Sequence, residues 1–148
     1  MGPLATLACP TAQPLGVYMK KIITLLILIA FATLAWAIDV KPYPTADITA
    51  DQWNNYHELV SKNLASSRRA YDSHKLEVFS DEKTRASIAF TMPGHEAHPC
   101  WVTRYVTEEN GEVSLSVIGY FAGNEEAFKK LFYQYEAMAE QTRKQFRK

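Results

Sequence analysis

The sequence has 148 residues, with 16 lysines and arginines against 16 aspartates and glutamates, so its formal charge is zero when histidine is neutral. A chain of this length forms one domain around a single core. The balanced charge argues against nucleic acid as a partner, because binding to phosphate backbones needs an excess or a stripe of basic residues.

The chain opens with a segment that carries no charge. Residues 1–18 contain three prolines and no charged side chain, so they lack the basic start of an export signal. We interpret them as a non-native upstream extension, with Met19 as the true start, and they do not enter the prediction of the fold.

Residues 19–37 have the three parts of a secretory signal peptide. Lys20 and Lys21 supply the basic start, an almost wholly apolar run follows, and Ala35-Trp36-Ala37 is a small-residue cleavage site. The alternative is a membrane anchor, but the apolar run lies at the lower limit of the ~20 residues that span a bilayer. We therefore predict an exported protein, periplasmic or secreted, with no membrane contact after cleavage.

Cleavage would leave residues 38–148 as a single exported domain with 14 basic and 16 acidic side chains. Because Cys9 precedes this domain, Cys100 has no partner for a disulfide. A lone cysteine of this kind is usually a small buried apolar residue. The alternatives are a reactive thiol and a bridge between molecules.

The first elements of the domain follow from the spacing of its apolar residues. Residues 38–48 contain two prolines and are predicted to form an extended lead-in. A helix is predicted near residues 50–71, where apolar side chains recur at helical spacing. From Lys75 the period changes to two, which predicts a hairpin that ends near Thr91.

The second half of the domain repeats the pattern of strands followed by a helix. Strands are predicted at about 100–107 and 112–121, joined by Asn110-Gly111, a dipeptide that favours a two-residue turn. A last helix begins after Asn124, which is a good N-cap. The fold class is therefore α+β, a four-stranded antiparallel meander with an N-terminal and a C-terminal helix. Since both helices are amphipathic, we expect them to pack on one face of the sheet and to leave the other face open.

The Asn110-Gly111 turn also predicts the register of the last hairpin, with Glu109 opposite Glu112. One face then carries Cys100 and is the better core. The other face carries a patch that we predict to bind a partner, because aromatic residues anchor interfaces: Trp101, Tyr105, Ile118 and Tyr120. Two alternatives stay open. The lead-in, with Tyr43 and Pro44, could fold over this face, or the aromatic residues could be there because they favour strands.

Arg104 does not fit the apolar pattern of its strand. The register points it inward beside Val117, where an unpaired charge is costly. It is a candidate anion-binding residue. The alternative is an arginine that forms a salt bridge or extends to an edge.

The segment from Gly94 to Cys100 concentrates reactive side chains. His95 and His98 are candidate metal ligands, and zinc or copper are the metals that imidazole suits. The spacing differs from the zincin motif, which also requires a helix. A solvated loop is one alternative, and a Cys–His nucleophile pair is another.

These features predict a small, exported, non-catalytic binding or interaction module, of the size of inhibitor and immunity proteins. Its partner would be another protein or a second copy of itself. The alternative function is a metal-binding protein or a metal-dependent enzyme that uses the His95 and His98 loop. A third hypothesis is a ligand pocket between the helices and the sheet near Arg104, and a filled core without a cavity would exclude it.

Overall fold

The computed structural model describes residues 37–109 and 111–146. The predicted upstream extension, residues 1–18, lies outside the described residues, as does all of the predicted signal peptide except Ala37. Within the described part of the chain, neither helix is both long and apolar enough to cross a membrane.

Two α-helices and five strands are the main elements of the described residues, and two single-turn 3-10 helices flank the first strand. The bounds of the α-helices and strands, in chain order, are α1 (Ala50–Asn63), β1 (Arg69–Tyr71), β2 (Leu76–Asp81), β3 (Ala86–Thr91), β4 (Cys100–Glu109), β5 (Glu112–Phe121) and α2 (Glu125–Phe146). The strands form one antiparallel sheet in the order β1-β2-β3-β4-β5. The predicted α+β class is confirmed, but the sheet has five strands where we predicted four.

The additional strand, β1, lies where we predicted the end of the first helix. Ser67 Oγ donates to the Leu64 carbonyl at 2.9 Å and accepts from the Ser80 amide at 2.9 Å. Serine hydroxyls compete in this way with helical backbone bonds. The chain therefore turns after α1, and the next residues pair with β2 instead of continuing the helix.

Both helices begin where the sequence predicts. The Thr49 hydroxyl accepts from the Gln52 amide at 3.2 Å, and Gln52 Oε1 accepts from the Thr49 amide at 2.8 Å. This reciprocal cap fixes the start of α1. Asn124 Oδ1 accepts from the Ala127 amide at 2.8 Å, so the predicted N-cap of α2 is confirmed.

The two helices lie on opposite faces of the sheet, so the prediction that both pack on one face is wrong. Helix α1 packs on the face that carries Phe90 and Trp101. Helix α2 packs on the face that carries Ala89 and Val102. Successive side chains of a strand point to opposite faces. Because β3 and β4 are apolar on both sides, each side needs a cover.

The predicted register of the last hairpin is confirmed. Glu109 lies opposite Glu112, and the pairing continues to Cys100 opposite Phe121. Cys100 therefore faces the α2 side, where it is fully buried. Trp101, the next residue, faces the α1 side.

Candidate functional site

The face that we predicted to be open is the interior of the protein. Trp101 is 0% exposed and Tyr120 is 1% exposed. Tyr105 and Ile118 are half-buried. The four residues therefore form no exposed patch, and the prediction of an open binding surface is wrong.

The lead-in covers this face together with α1. The ring centroid of Tyr43 lies 6.3 Å from that of Trp101 and 6.0 Å from that of Tyr120. The Tyr120 hydroxyl donates to the Tyr43 carbonyl at 3.0 Å. The Tyr56 ring of α1 also stacks on Trp101, with 4.6 Å between the ring centroids. The alternative in which the lead-in folds over the aromatic residues is thus confirmed.

The candidate metal ligands His95 and His98 are engaged with backbone groups. His95 Nδ1 accepts from the Ala97 amide at 3.0 Å, and His98 Nδ1 donates to the Thr91 carbonyl at 2.9 Å. Over residues 37–109 and 111–146, no group of three or more histidine, cysteine, aspartate or glutamate side chains is placed to hold a metal ion. The geometry of the described residues therefore does not favour the predicted zinc or copper site.

Cys100 is held inside the sheet rather than presented to a substrate. Its side chain is fully buried, and burial raises the pKa of the thiol to about 12. The Thr91 hydroxyl bonds to both the amide and the carbonyl of Cys100 at 3.0 Å. A nucleophilic cysteine needs an accessible thiolate, so this geometry does not support a Cys–His pair.

A buried ion-pair cluster joins α1 to β2. Glu77 is 7% exposed, and its carboxylate accepts from His57 Nε2 and, at 2.7 Å, from Arg68 Nε. The His57 ring stacks on Trp53 with 4.9 Å between centroids. Burial by itself would raise the pKa of Glu77, but the hydrogen bonds from His57 and Arg68 outweigh it and hold that pKa below its usual value.

Sequence reasoning missed this cluster because Glu77 alternates with apolar residues in a way that predicts a solvent-facing strand position. The burial of Glu77 follows from its pairing, because Glu77 lies opposite Phe90 of β3, a strand that is buried on both faces. That pairing is seen only in the structure. The cluster attaches α1 and the segment that follows it to β2 of the sheet.

A cleft of about 360 Å³ lies on the α2 face of the sheet, and we call it the Arg104 cleft. It opens between the β2–β3 turn and the last turns of α2, and its walls include Arg104, Arg85, Ala86, Leu115 and Thr142. The third hypothesis, a pocket near Arg104, required a space of this kind. The cleft is open to solvent and lies at the surface, at one end of the sheet.

Arg104 lies opposite Val117, as the register predicts, and its guanidinium sits over the Tyr135 ring at 5.5 Å from the centroid. It is half-buried. Within the described residues it makes no hydrogen bond and no ion pair. The buried acid among the residues that line the cleft, Asp81, accepts from the Lys83 amide at 3.0 Å and the Thr84 hydroxyl at 2.8 Å. Both carboxylate oxygens of Asp81 therefore accept hydrogen bonds from the β2–β3 turn.

Comparisons of the chain with protein-family models, with curated proteins and with solved structures gave no match.

Proposed function

We propose that this protein is a small, exported, non-catalytic binding module, and that it binds a carboxylate with an apolar body in the Arg104 cleft. One observation carries the proposal. Arg104 is a half-buried cation that has no acceptor within the described residues and lines a cleft of about 360 Å³. A cleft of that volume suits a small molecule.

The charge of the site favours an anionic ligand. A guanidinium withdrawn from water is stabilised by a carboxylate, and its planar fork can make two parallel hydrogen bonds to one. Arg85, on the exposed rim of the cleft, adds a second positive charge. The two acids on the wall are Asp81, which its turn engages, and Glu82, which is exposed. Neither forms an ion pair with Arg104.

The remaining walls favour an apolar body on that ligand. Leu115 lies on the same face of the sheet as Arg104, and Ala86, Ser87 and Thr142 also line the cleft. Apolar walls with a few placed polar groups are typical of small-molecule sites. Export rests on the signal pattern of residues 19–37, and the preference for binding over catalysis rests on the buried state of Cys100.

Calorimetric titration of the protein with octanoate tests this proposal. We expect saturable binding of octanoate, weaker binding of acetate because it lacks the apolar body, and none of octylamine. Arg104→Gln should weaken octanoate binding by about 10- to 100-fold, since a charge-assisted bond contributes about 1.5–3 kcal/mol. Arg69→Gln, at an exposed arginine of β1, is the matched control and should leave binding unchanged.

Two results would overturn the proposal. One is the absence of octanoate binding by the unmodified protein. The other is equal affinity in the Arg104→Gln variant while its melting temperature and backbone amide spectrum match those of the parent. Chemical shifts that move at Leu115 and Thr142 would place the bound ligand in the Arg104 cleft.

A further inference from the structure

A second cleft, of about 290 Å³, lies on the α2 face, and we call it the His95 cleft. Three separate parts of the chain form it. The turn before β2 contributes His74 and Lys75, the loop after β3 contributes the segment 94–96, and α2 contributes Lys130 and Gln134. None of these residues lines the Arg104 cleft.

The backbone holds Lys75 at the rim of this cleft. Lys75 has a left-handed conformation with φ of 51°, and its carbonyl accepts from the Met92 amide at 2.8 Å. Non-glycine residues adopt that conformation infrequently. Gly94, at φ of 94°, lies across from it, and a Cβ there would be 3.9 Å from Lys75 Cε. The lysine side chain therefore lies along the loop that forms the opposite wall.

His95 presents a hydrogen-bond donor and not a metal-binding lone pair. Because an amide N–H only donates, the contact from the Ala97 amide places the lone pair of the neutral ring on Nδ1. The proton of the neutral ring is then on Nε2. A cation bound at Nε2 would need the opposite tautomer and would break the bond to Ala97. An anion needs no such change.

The charged groups that face the cleft are mostly positive. Neither Lys75 nor Lys130 forms an ion pair within the described residues. Lys129, the neighbour of Lys130, differs in this respect, because it pairs at 3.1 Å with both Glu125 and Glu126. Glu96 is the acidic residue among those that line the cleft.

We propose that the His95 cleft is a second, independent site, and that it binds a phosphate group through Lys75, Lys130 and the Nε2–H of His95. The donors belong to three separate parts of the chain that line one cleft, and a tetrahedral oxyanion accepts hydrogen bonds from several directions. Lysine provides point charges for phosphate, whereas flat carboxylates are best matched by the arginine fork. The phosphate is either free inorganic phosphate or part of a phosphate monoester. A monoester carries an organic group that would extend out of the cleft, and inorganic phosphate has none.

The test is calorimetric titration of the full chain with inorganic phosphate and, separately, with glycerol 3-phosphate. Binding of either supports the site, and stronger binding of the ester indicates a monoester ligand. Lys75→Gln and Lys130→Gln should each weaken binding by about tenfold, the effect of losing one charge-assisted bond. Glu96→Gln should tighten binding because it removes the opposing charge. Lys129→Gln is the matched control and should bind as the parent does.

The proposal is overturned if neither ligand binds at millimolar concentration, or if Lys75→Gln and Lys130→Gln bind as tightly as Lys129→Gln. All of the lysine positions are exposed, so we expect each variant to fold, and its melting temperature checks that. As a second measurement, the amide signals of Gly94 and His95 should shift on titration of the parent. The octanoate experiment on Arg104 is unaffected by either result, so the two proposals fail separately.

Discussion

The two faces of the sheet are covered by different kinds of side chain. The buried cluster on the α1 side is dominated by large aromatic residues: Trp53, Tyr56, Phe79, Phe90, Trp101 and Tyr120. On the α2 side, the fully buried residues of the sheet are small, Ala89, Cys100 and Val102, and the buried aromatic rings are those of Phe128 and Tyr135 from the helix. An aromatic side chain buries about 150–250 Å², so the α1 side supplies the larger share of the hydrophobic stabilisation.

Both clefts described above lie on the α2 side. On the α2 side the helix approaches the sheet closely at Gly119, where an added Cβ would be 2.8 Å from Phe128 Cζ and 3.0 Å from Phe132 Cδ2. Both clefts are lined in part by α2, by Lys130 in one and Thr142 in the other. The two proposed ligand sites therefore lie on the α2 side and not in the aromatic cluster.

The largest expected effect is on the aromatic face. Trp101→Ala should lower the free energy of unfolding by about 3–5 kcal/mol, because it removes the side chain at the centre of the aromatic cluster. Leu131→Ala, which truncates a buried residue on the α2 side, should cost about 2–3 kcal/mol. Urea denaturation measures both.

A larger loss in Leu131→Ala than in Trp101→Ala would contradict this comparison of the two faces. If Trp101→Ala does not fold, Trp101→Phe keeps the comparison measurable. Its smaller cavity should still destabilise the protein, whereas a stability equal to that of the parent would count against the central role of Trp101.

The Glu77 cluster predicts a pH dependence for the attachment of α1. Because the folded-state pKa of Glu77 is lowered, its contribution is complete above the unfolded-state pKa of about 4.3 and is lost as the pH falls through the folded-state value. Glu77→Gln should cost about 2 kcal/mol at pH 7 through the loss of charged hydrogen bonds. The difference from the parent should shrink as the pH falls below about 4.

Denaturation curves between pH 7 and pH 2.5 measure this difference. Glu58→Gln, at an exposed position of α1, is the control and should follow the parent throughout. A constant gap between Glu77→Gln and the parent across that range would show that the ionisation of Glu77 does not hold α1 in place.

The smallest of the three effects concerns the close approach of α2. Gly119→Ala should destabilise the protein by about 1–2 kcal/mol, since overpacking displaces the Phe128 ring. Adding Phe128→Leu should recover part of that loss, because it shortens the side chain that the new methyl group meets. Thermal unfolding measures the stability of both variants relative to the parent. A Gly119→Ala variant as stable as the parent would show that α2 can shift away from the sheet without a loss of stability.

Much of the local structure could be predicted from the sequence. The Asn124 cap and the hairpin register follow from side-chain chemistry within a few residues. The Arg104 position follows from that register too. The sequence did not predict Glu77 as a buried residue, because its partners His57 and Arg68 are 20 and 9 residues away along the chain. These three side chains meet only when α1 packs on the sheet, and the local sequence does not determine that packing.

The sequence by itself determined the α+β class, the antiparallel order of the strands and the alternation of side chains in the last hairpin. Only the tertiary structure decided which helix covers which face, and therefore that Trp101 and Tyr120 are core residues. The physical reason is that period-two alternation assigns residues to two faces but does not say which face meets water. When both faces are apolar, the answer depends on the path of segments that are distant in sequence, here α1 and the lead-in with Tyr43.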